Sequence, residues 1–495
     1  MVTRRRFIKA ASASLAGMVL PFHAGKPLQA AELAGRFVRP LAIPPLSEGT
    51  ADPDGTVNFD LTMQAGERNF IDDRMTPTLG INGDYLGPTI RFNRHDNVRL
   101  NVFNNLAEAS TLHWHGVHLP AEMDGGPHQV IEPGRSWSPE FRIRQPAATL
   151  WYHSHMLHET GRQVYQGLAG LIYVEDDASS ALELPSTYGV DDIPLVLQDR
   201  AFNADGSFRY RSIANGGGAR GMMGDVMLVN GVAFPRFELQ KRRTRFRILN
   251  GSNARIYTLE FSDQRRFLQI ASDGGLLRRR VPLHRLRLAP GERAEIVVVF
   301  DWDDDVYLRN VEEASGGAGM SEPELSQIMH FDGRKIAGAL VGPPPVELAD
   351  IPAWAPRDAA RTRRFVLGGG GQPGGRRRGG IAGQLSINGK QMDMSRIDER
   401  VRVGDIEIWE VVNRSRMSHP FHVHDVQFRI HTRNGKTPAP SERSLKDTVL
   451  LDPGESVRLI MKFEDYTDPD SAYMYHCHIL EHEDAGMMGQ FVVTA

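Results

Sequence analysis

The segment YMYHCHILEHEDAGMM, residues 473–488, contains the only cysteine of this 495-residue chain. Cys477 stands between two histidines, and His482 and Met487 follow within ten residues. A thiolate is a soft metal ligand, and a lone thiol in an oxidising compartment is a liability unless it is buried or coordinated. The segment therefore predicts a metal site built around Cys477.

Four pairs of the form His-x-His recur along the chain and use eight of its 18 histidines. They are His113/His115, His153/His155, His422/His424 and His476/His478. Residues i and i+2 of a β-strand point to the same face, so each pair offers two imidazoles side by side. One such pair is weak evidence, whereas four in one chain predict a cluster of metal ligands.

Copper fits this ligand set better than the other common metals. Zinc sites need three or four protein ligands, and calcium and magnesium prefer oxygen. Copper binds most tightly in the divalent series and suits imidazole. Alternation along a strand turns the Cys477 sulfur away from its two neighbouring histidines, towards His419, His482 and a weak axial Met487. That ligand set is typical of a blue-copper electron-transfer centre.

Internal repeats divide the chain into three units. Asn-Gly turns recur at Asn82, Asn230 and Asn388, and Pro-Gly turns at Pro133, Pro290 and Pro453. The flanking runs alternate apolar and polar residues, which is typical of antiparallel strands in a sandwich. We expect three β-sandwich domains in tandem, at residues 40–178, 190–342 and 358–495. The segment GGGGQPGGRRRGG, residues 368–380, cannot supply a core and is expected to be a solvated loop.

The first 30 residues have the features of an export signal. TRRRFIK, residues 3–9, precedes a mildly apolar run, as in twin-arginine signal peptides. We therefore expect residues 1–30 to engage the twin-arginine machinery and the remaining chain to be periplasmic or secreted. No stretch approaches the ~20 apolar residues of a membrane span. The formal net charge of −3 favours neither nucleic acid nor an anionic membrane as a partner.

Together, the motifs H-W-H-G, H-S-H, H-P-x-H-x-H and H-C-H-x₃-H-x₄-M resemble the signature of the multicopper oxidases. The likeness is to the three-domain bacterial type, which includes copper-efflux oxidases and laccase-like proteins, and it covers nearly all of the chain after residue 30. It implies an all-β fold of three tandem cupredoxin-like Greek-key sandwiches. It also implies four copper ions per chain, namely one of type 1, one of type 2 and two of type 3. We expect a monomer.

The resemblance also implies a role for each ligand. The type 1 copper is expected on His419, Cys477, His482 and Met487. The type 2 copper is expected on His113 and His422, and the type 3 pair on His115, His153, His155, His424, His476 and His478. Asp124 matches the family's carboxylate beside the cluster, and Glu483 matches a proposed proton relay. The cluster would then lie between the first and third domains. The middle domain, which has no ligand motif, is expected to be a spacer or to line the substrate entrance.

The reaction implied is the oxidation of four one-electron donors at the type 1 copper, coupled to reduction of O₂ to two waters at the cluster. Copper-efflux relatives have a methionine-rich insert, which this chain lacks, and Ser415 replaces their substrate-copper aspartate. Met417 nevertheless stands close to His419, the expected electron entrance. The favoured function is a laccase-like oxidase of phenols and aromatic amines, with a cuprous oxidase for periplasmic copper tolerance as the alternative.

Three further classes fit the sequence less well. A copper-free structural protein of cell division shares the architecture, but it would have lost ligands that are all present here. A copper nitrite reductase lacks the H-C-H triplet. A copper store would need clustered methionines or cysteines.

Overall fold

The computed structural model describes residues 37–71, 74–311, 326–339, 342–368 and 385–495. The predicted signal peptide, residues 1–30, and all of the predicted Gly/Arg loop except Gly368 lie outside this part of the chain. Within it, strands dominate and the α-helices are short, namely α1 (Thr160–Gln166), α2 (Asp177–Ser180) and α3 (Leu480–Asp484). Among the described residues, no helix has the length and apolar character needed to cross a membrane.

The first ten strands form two facing sheets around one apolar core. They are β1 (Leu46–Ser47), β2 (Thr50–Ala51), β3 (Val57–Ile71), β4 (Arg74–Ile81), β5 (Thr89–Asn93), β6 (Asn97–Asn105), β7 (Ser136–Trp137), β8 (Glu140–Arg142), β9 (Ala148–His153) and β10 (Ala169–Glu175). One sheet has the order β1-β5-β10-β9 and the other β2-β3-β6-β7, in which β4 pairs with β3 and β8 with β6. Between the sheets lies a core of buried residues that includes Phe59, Phe92 and Trp114.

The middle twelve strands repeat this plan. They are β11 (Asp192–Arg200), β12 (Val226–Val229), β13 (Val232–Ala233), β14 (Arg236–Glu238), β15 (Arg243–Asn250), β16 (Tyr257–Phe261), β17 (Phe267–Ser272), β18 (Gly275–Leu283), β19 (Leu286–Leu288), β20 (Arg293–Val299), β21 (Asp305–Asn310) and β22 (Gln327–Asp332). Their sheets have the orders β13-β12-β11-β15-β20-β17-β18 and β14-β22-β21-β16-β19.

The last nine strands build the third sandwich. They are β23 (Ala359–Leu367), β24 (Glu399–Arg402), β25 (Ile406–Asn413), β26 (His419–Val423), β27 (Arg429–Arg433), β28 (Thr448–Leu451), β29 (Ser456–Lys462), β30 (Asp468–Cys477) and β31 (Met488–Thr494). The sheets have the orders β23-β25-β29-β27 and β24-β31-β30-β26-β28. The predicted fold class, three tandem cupredoxin-like β-sandwiches, is confirmed; the exact domain boundaries stay a prediction.

The Asn-Gly turns explain why the sequence repeats. Asn82, Asn230 and Asn388 all adopt positive φ, between 51° and 55°, a conformation that asparagine tolerates better than most residues. Each side chain accepts a hydrogen bond from a backbone N–H of the first long strand of its domain, at Thr62, Val196 and Val366. Each also donates to a carbonyl two residues earlier on that strand. The repeated asparagine therefore ties the turn to the sheet in all three domains.

Candidate metal centre

The histidine pairs lie where strands end. His153, His422 and His476 are within β9, β26 and β30, and the second histidine of each of these pairs lies one or two residues past the end of the strand. The remaining pair is not on a strand, because His113 makes only an isolated bridge to His153. The prediction that the pairs stand on strands is therefore right only for the first members of three pairs. In these three pairs, the first histidine has the backbone of a strand, and the second lies in the segment that follows the strand.

Eight imidazoles from the first and third domains converge in one buried cluster. At most 1% of the surface of any of these side chains is exposed. Two pairs of rings stack across the domain boundary, His113 on His424 at 3.9 Å and His115 on His422 at 3.7 Å between centroids. Three-residue groups whose ligand atoms lie within 4.8 Å of one another include His113/His422/His424, His113/His115/His153 and His155/His424/His476. The structure thus brings together all eight predicted cluster histidines.

Hydrogen bonds at the outer nitrogens fix how these rings point. The Nδ1 atoms of His113, His153 and His422 lie 2.8–2.9 Å from backbone carbonyl oxygens, to which they donate. The Nε2 atoms of the same three rings have no hydrogen-bond partner and are buried. A neutral imidazole protonated on one nitrogen carries a lone pair on the other. These lone pairs therefore point into the cluster.

Burial favours the neutral form of several of these imidazoles. It is the largest cause that holds the pKa of His153 and His422 well below the ordinary value, and neighbouring histidines lower both further. For His155 and His478, burial lowers the pKa to about 4 and about 3. Metal ligation requires the unprotonated ring, so the cluster is ready to bind metal at neutral pH.

The arrangement fits metal ions better than it fits an empty core. The Nε2 atom of His476 lies 3.3 Å from that of His155 and 3.2 Å from that of His424. Buried lone pairs at such distances repel unless a cation stands among them, and unpaired buried polar atoms are costly. An all-imidazole donor set is one that copper favours.

Two predicted acids lie against the cluster. Asp124 Oδ2 accepts a hydrogen bond from His424 Nδ1 at 2.7 Å, and its Oδ1 lies 3.4 Å from His113 Nδ1. Glu483 faces two ligands, with Oε1 3.2 Å from His155 Nδ1 and Oε2 3.1 Å from His476 Nδ1. Burial raises the pKa of Glu483, but the facing His155 and His476 outweigh it, so the pKa lies below its ordinary value. Both carboxylates therefore lie against predicted ligand rings, and their part in proton transfer stays a prediction.

A third acid was missed by the sequence analysis. Asp447 Oδ1 lies 3.0 Å from His115 Nε2, and its backbone oxygen accepts from His422 Nδ1. The guanidinium of Arg293, from the middle domain, donates to both carboxylate oxygens of Asp447. Neither residue belongs to a histidine motif, and 154 positions separate them in the chain. Nothing in the sequence pattern marks such a pair.

Cys477 occupies the opposite face of β30. Its Sγ lies 3.3 Å from His419 Nδ1 and 3.5 Å from His482 Nδ1, and the three ligand atoms form one buried group. Burial raises the pKa of the Cys477 thiol, so the thiolate forms only beside a cation. Met487 is fully buried, and its backbone bonds to those of Cys477 and His482. These are the four residues predicted to hold the type 1 copper.

In the two imidazoles beside Cys477, those of His419 and His482, the Nε2 atom also has a hydrogen-bond partner. His482 Nε2 donates to the backbone oxygen of Ala219, in the middle domain, at 2.8 Å. Ser415 Oγ lies 2.8 Å from His419 Nε2, and its own hydroxyl donates to the backbone oxygen of Met417. Both bonds place the proton on Nε2, which leaves Nδ1 free to face the Cys477 sulfur. Met417 itself is half-buried and packs on the core around Cys477.

The middle domain, expected to be a spacer or to line the substrate entrance, contacts both sites. Arg293 contacts Asp447 beside the cluster, and the Ala219 carbonyl accepts from His482 beside Cys477. It also approaches His478 so closely that a Cβ on Gly291 would lie 2.9 Å from the ring. A ligand motif is therefore a poor guide to which domain shapes a site.

Comparison with known proteins agrees with this geometry. The sequence model of the multicopper oxidase family matches residues 62–179 and 370–495. The multicopper oxidase mco of Staphylococcus haemolyticus is 34% identical over 458 residues, 92% of either chain. The cell division protein FtsP of Sodalis glossinidius is 37% identical over 502 residues, 99% of this chain and 98% of FtsP.

A solved structure shows the same architecture. It is the laccase-like multicopper oxidase CueO of a lignin-degrading Ochrobactrum species, with a TM-score of 0.80 and 36% identity over 92% of this chain and 100% of that one. Sequence and fold agree over nearly the whole length. The chain belongs to the multicopper oxidase family.

Proposed function

We propose that this protein oxidises small aromatic donors, phenols and aromatic amines, one electron at a time and passes the electrons to O₂. The observation that carries the proposal is the pair of buried ligand sets on opposite faces of β30, with Cys477 on one and His476 on the other. Adjacent residues of one strand join the two sites through a few covalent bonds. The proposed stoichiometry is four donor oxidations for each O₂ reduced to two waters.

We propose four copper ions as the cofactor. His419, Cys477, His482 and Met487 would hold one, and the eight clustered histidines would hold three. Bound copper would supply one-electron redox chemistry at the first site and O₂ reduction at the second. The assignment of particular histidines to type 2 and type 3 ions remains that implied by the family resemblance.

The acids around the cluster suit proton delivery. Reduction of O₂ to water consumes protons inside a site from which solvent is excluded. Asp124 and Glu483 are buried and touch ligand rings at their outer nitrogens. Each can accept a proton at a carboxylate oxygen and release it towards the cluster, which is the role of a general acid. Asp447 is held by Arg293 in a bidentate pair, so it serves to orient His115.

Two observations favour aromatic donors over cuprous ion. Position 415 is a serine, so it offers no carboxylate to a substrate metal ion. Its hydroxyl is hydrogen-bonded to His419 and Met417. The similar Ochrobactrum oxidase is described as active towards lignin model compounds, which are aromatic. A cuprous oxidase remains the alternative within the same chemistry, and periplasmic location after twin-arginine export is part of the proposal.

A direct test compares turnover of a methoxyphenol and of Cu(I) by the copper-loaded protein, with and without added Cu(II). We expect O₂ uptake with the methoxyphenol, a copper content of four ions per chain, and little stimulation by added Cu(II). Faster turnover of Cu(I), strongly stimulated by added Cu(II), would instead establish a cuprous oxidase.

Similarity to FtsP over almost the whole chain supports a second candidate, a structural protein of cell division. Such a protein has no need of buried, unpartnered imidazole nitrogens, which this chain keeps at His113, His115, His153 and His422. Metal analysis separates the two candidates. A protein that binds no copper and consumes no O₂ with any donor would favour the structural role.

A further inference from the structure

An electron donor cannot touch either type 1 imidazole directly. His419 and His482 have no exposed surface. Ala219 covers the outer edge of one ring and Ser415 that of the other. A donor must therefore dock on the residues that cover these rings, and their chemistry decides which donors are accepted.

The first covering element is residues 211–224 of the middle domain, here called the cover segment. It is fixed to the third domain by the Met222 N–H, which donates to Glu481 Oε2 at 3.0 Å, and by Ile213, which packs on the core that contains Cys477. Gly221, at φ +80°, fits so tightly that a Cβ there would lie 2.7 Å from Ile479. The cover segment is thus an ordered part of the type 1 site.

The second covering element is the turn 414–418, which precedes β26. Both elements carry only positive charge: Arg211 and Arg220 in the first, Arg414 and Arg416 in the second, with no aspartate or glutamate in either. All four side chains are exposed. We call the cover segment and this turn together the donor face.

Two carboxylates that contact these elements, Glu481 and Asp452, are already engaged with other groups. Glu481 is buried and already accepts from Met222 and Asn253. Asp452, which accepts from Ser418, is engaged with both terminal nitrogens of Arg287. Within the described chain, Arg414 and Arg416 form no ion pair.

We propose that the donor face selects anionic aromatic donors over neutral and cationic ones. Such donors are phenolates, and phenols or aromatic amines that carry a carboxylate or sulfonate group. Guanidinium groups bind carboxylates and stack on aromatic rings, so they favour this class on both counts. A basic face also raises the local concentration of anions and repels cuprous ion. The inference rests on the proposed oxidase function, because it names the donors of that same site.

The electron balance is that of the proposed reaction. Each phenolate loses one electron and becomes a neutral phenoxyl radical. Four such donors supply the four electrons that O₂ takes up with four protons to give two waters. No additional oxidant is required.

The test uses two one-electron donors of similar size and opposite charge, ferrocenecarboxylate and (ferrocenylmethyl)trimethylammonium. After correction for their potentials, we expect the copper-loaded protein to oxidise the anion about tenfold faster at low ionic strength. The preference should shrink in ~1 M salt, where the Debye length falls to about 3 Å. Rates are followed as loss of the visible copper–thiolate absorption without O₂ and as O₂ uptake.

Charge variants locate the effect. The double variant Arg414→Gln/Arg416→Gln should reduce the anion preference about threefold, because exposed charges contribute modestly. Arg135→Gln removes an equally exposed arginine from the turn after Pro133 in the first domain and should leave the preference unchanged. Equal rates for the two donors, or an undiminished preference in the double variant, would overturn the inference while the oxidase function stands.

Failure of the proposed function gives a different result, since neither donor would support O₂ uptake. The donor face is then judged by binding to the copper-free chain, measured with the fluorescent probe 2-naphthalenesulfonate and its trimethylammonium analogue. Tighter binding of the sulfonate, weakened in the double variant, would support the basic donor face independently of turnover. Equal binding of the two probes would overturn it.

Discussion

The two faces of β30 carry metal-ligating sites with opposite surroundings. On the cluster face, three carboxylates lie against ligand rings: Asp124, Asp447 and Glu483. On the Cys477 face, the described residues place no carboxylate against His419 or His482. Their outer nitrogens meet a serine hydroxyl and a backbone carbonyl instead.

This difference follows from what each site has to handle. Several metal cations in one buried cluster need negative charge nearby, and O₂ reduction needs protons. A site that only passes electrons needs neither, and a carboxylate close to it would couple its potential to pH. Neutral hydrogen-bond partners fix the ring tautomers without adding charge.

The largest expected effect comes from breaking the link between the faces. Cys477→Ser replaces the soft sulfur ligand with a hydroxyl, which is a poor copper ligand at this site. We expect loss of the visible copper–thiolate absorption together with loss of donor oxidation and O₂ uptake. Copper should still bind to the clustered histidines. Undiminished turnover in this variant would refute the electron path through β30.

Much of the site is predictable from sequence because its ligands come in short motifs. The spacing around Cys477 and within the histidine pairs is short, so each motif is set by local backbone structure, at a strand end for three of the pairs. The repeated asparagines likewise mark the same turn in each domain. These features could be identified before any contact was known.

The supporting contacts could not be predicted, since they join distant segments. Ala219 and His482 are 263 positions apart, and the bond uses a backbone carbonyl that any residue provides. Asp447 and Arg293 meet only because the first residue of β20, in the middle domain, reaches the residue before β28, in the third. Residue type carries no signal for such contacts, so the contacts of the middle domain with the two sites could not be predicted.

The next effect tests whether the acids of the cluster face deliver protons. Asp124→Asn keeps the shape of the side chain but removes its basicity. We expect O₂ turnover to fall by about 10²–10⁴-fold, the usual contribution of a general acid or base, while anaerobic reduction of the Cys477 site keeps its rate. Glu483→Gln should act in the same direction. Asp350→Asn, at an exposed position, serves as the control; equal slowing of both half-reactions would argue against proton delivery.

Acid should destabilise the copper-free protein through both faces. Burial lowers the pKa of His155 and of His482 to about 4, against about 6.5 in an unfolded chain. Between these values the unfolded state binds more protons, so the free energy of unfolding falls as pH drops from about 6.5 to about 4. Each histidine contributes roughly 3 kcal/mol. Denaturant titrations across this range should show the loss, and a flat profile would contradict it.

The next prediction concerns Arg293, the residue of the middle domain that donates to Asp447 beside the cluster. Arg293→Lys keeps the charge but loses the bidentate hydrogen bond to Asp447. Asp447 in turn orients His115. Loss of such an outer partner typically weakens metal affinity by about 10–100-fold. We expect copper to leave the cluster at lower chelator concentration, whereas the copper–thiolate absorption of the other face stays unchanged. Simultaneous loss from both faces would indicate general unfolding.

The smallest effect tests how tightly the cover segment closes the Cys477 face. Gly221→Ala adds a methyl group that would lie 2.6 Å from the Ala254 Cβ, at a φ of +80°. We expect the segment to shift, which weakens the Ala219–His482 bond and exposes the imidazole to diethyl pyrocarbonate in the copper-free protein.

Two controls separate the causes: Gly216→Ala has the same backbone strain but open space, and Gly218→Ala has open space without that strain. Modification of His482, mapped by mass spectrometry, should rise about threefold only in Gly221→Ala, since displacing one exposed segment costs on the order of 1 kcal/mol. An equal rise in Gly216→Ala would assign the effect to backbone strain rather than to lost contact with the third domain.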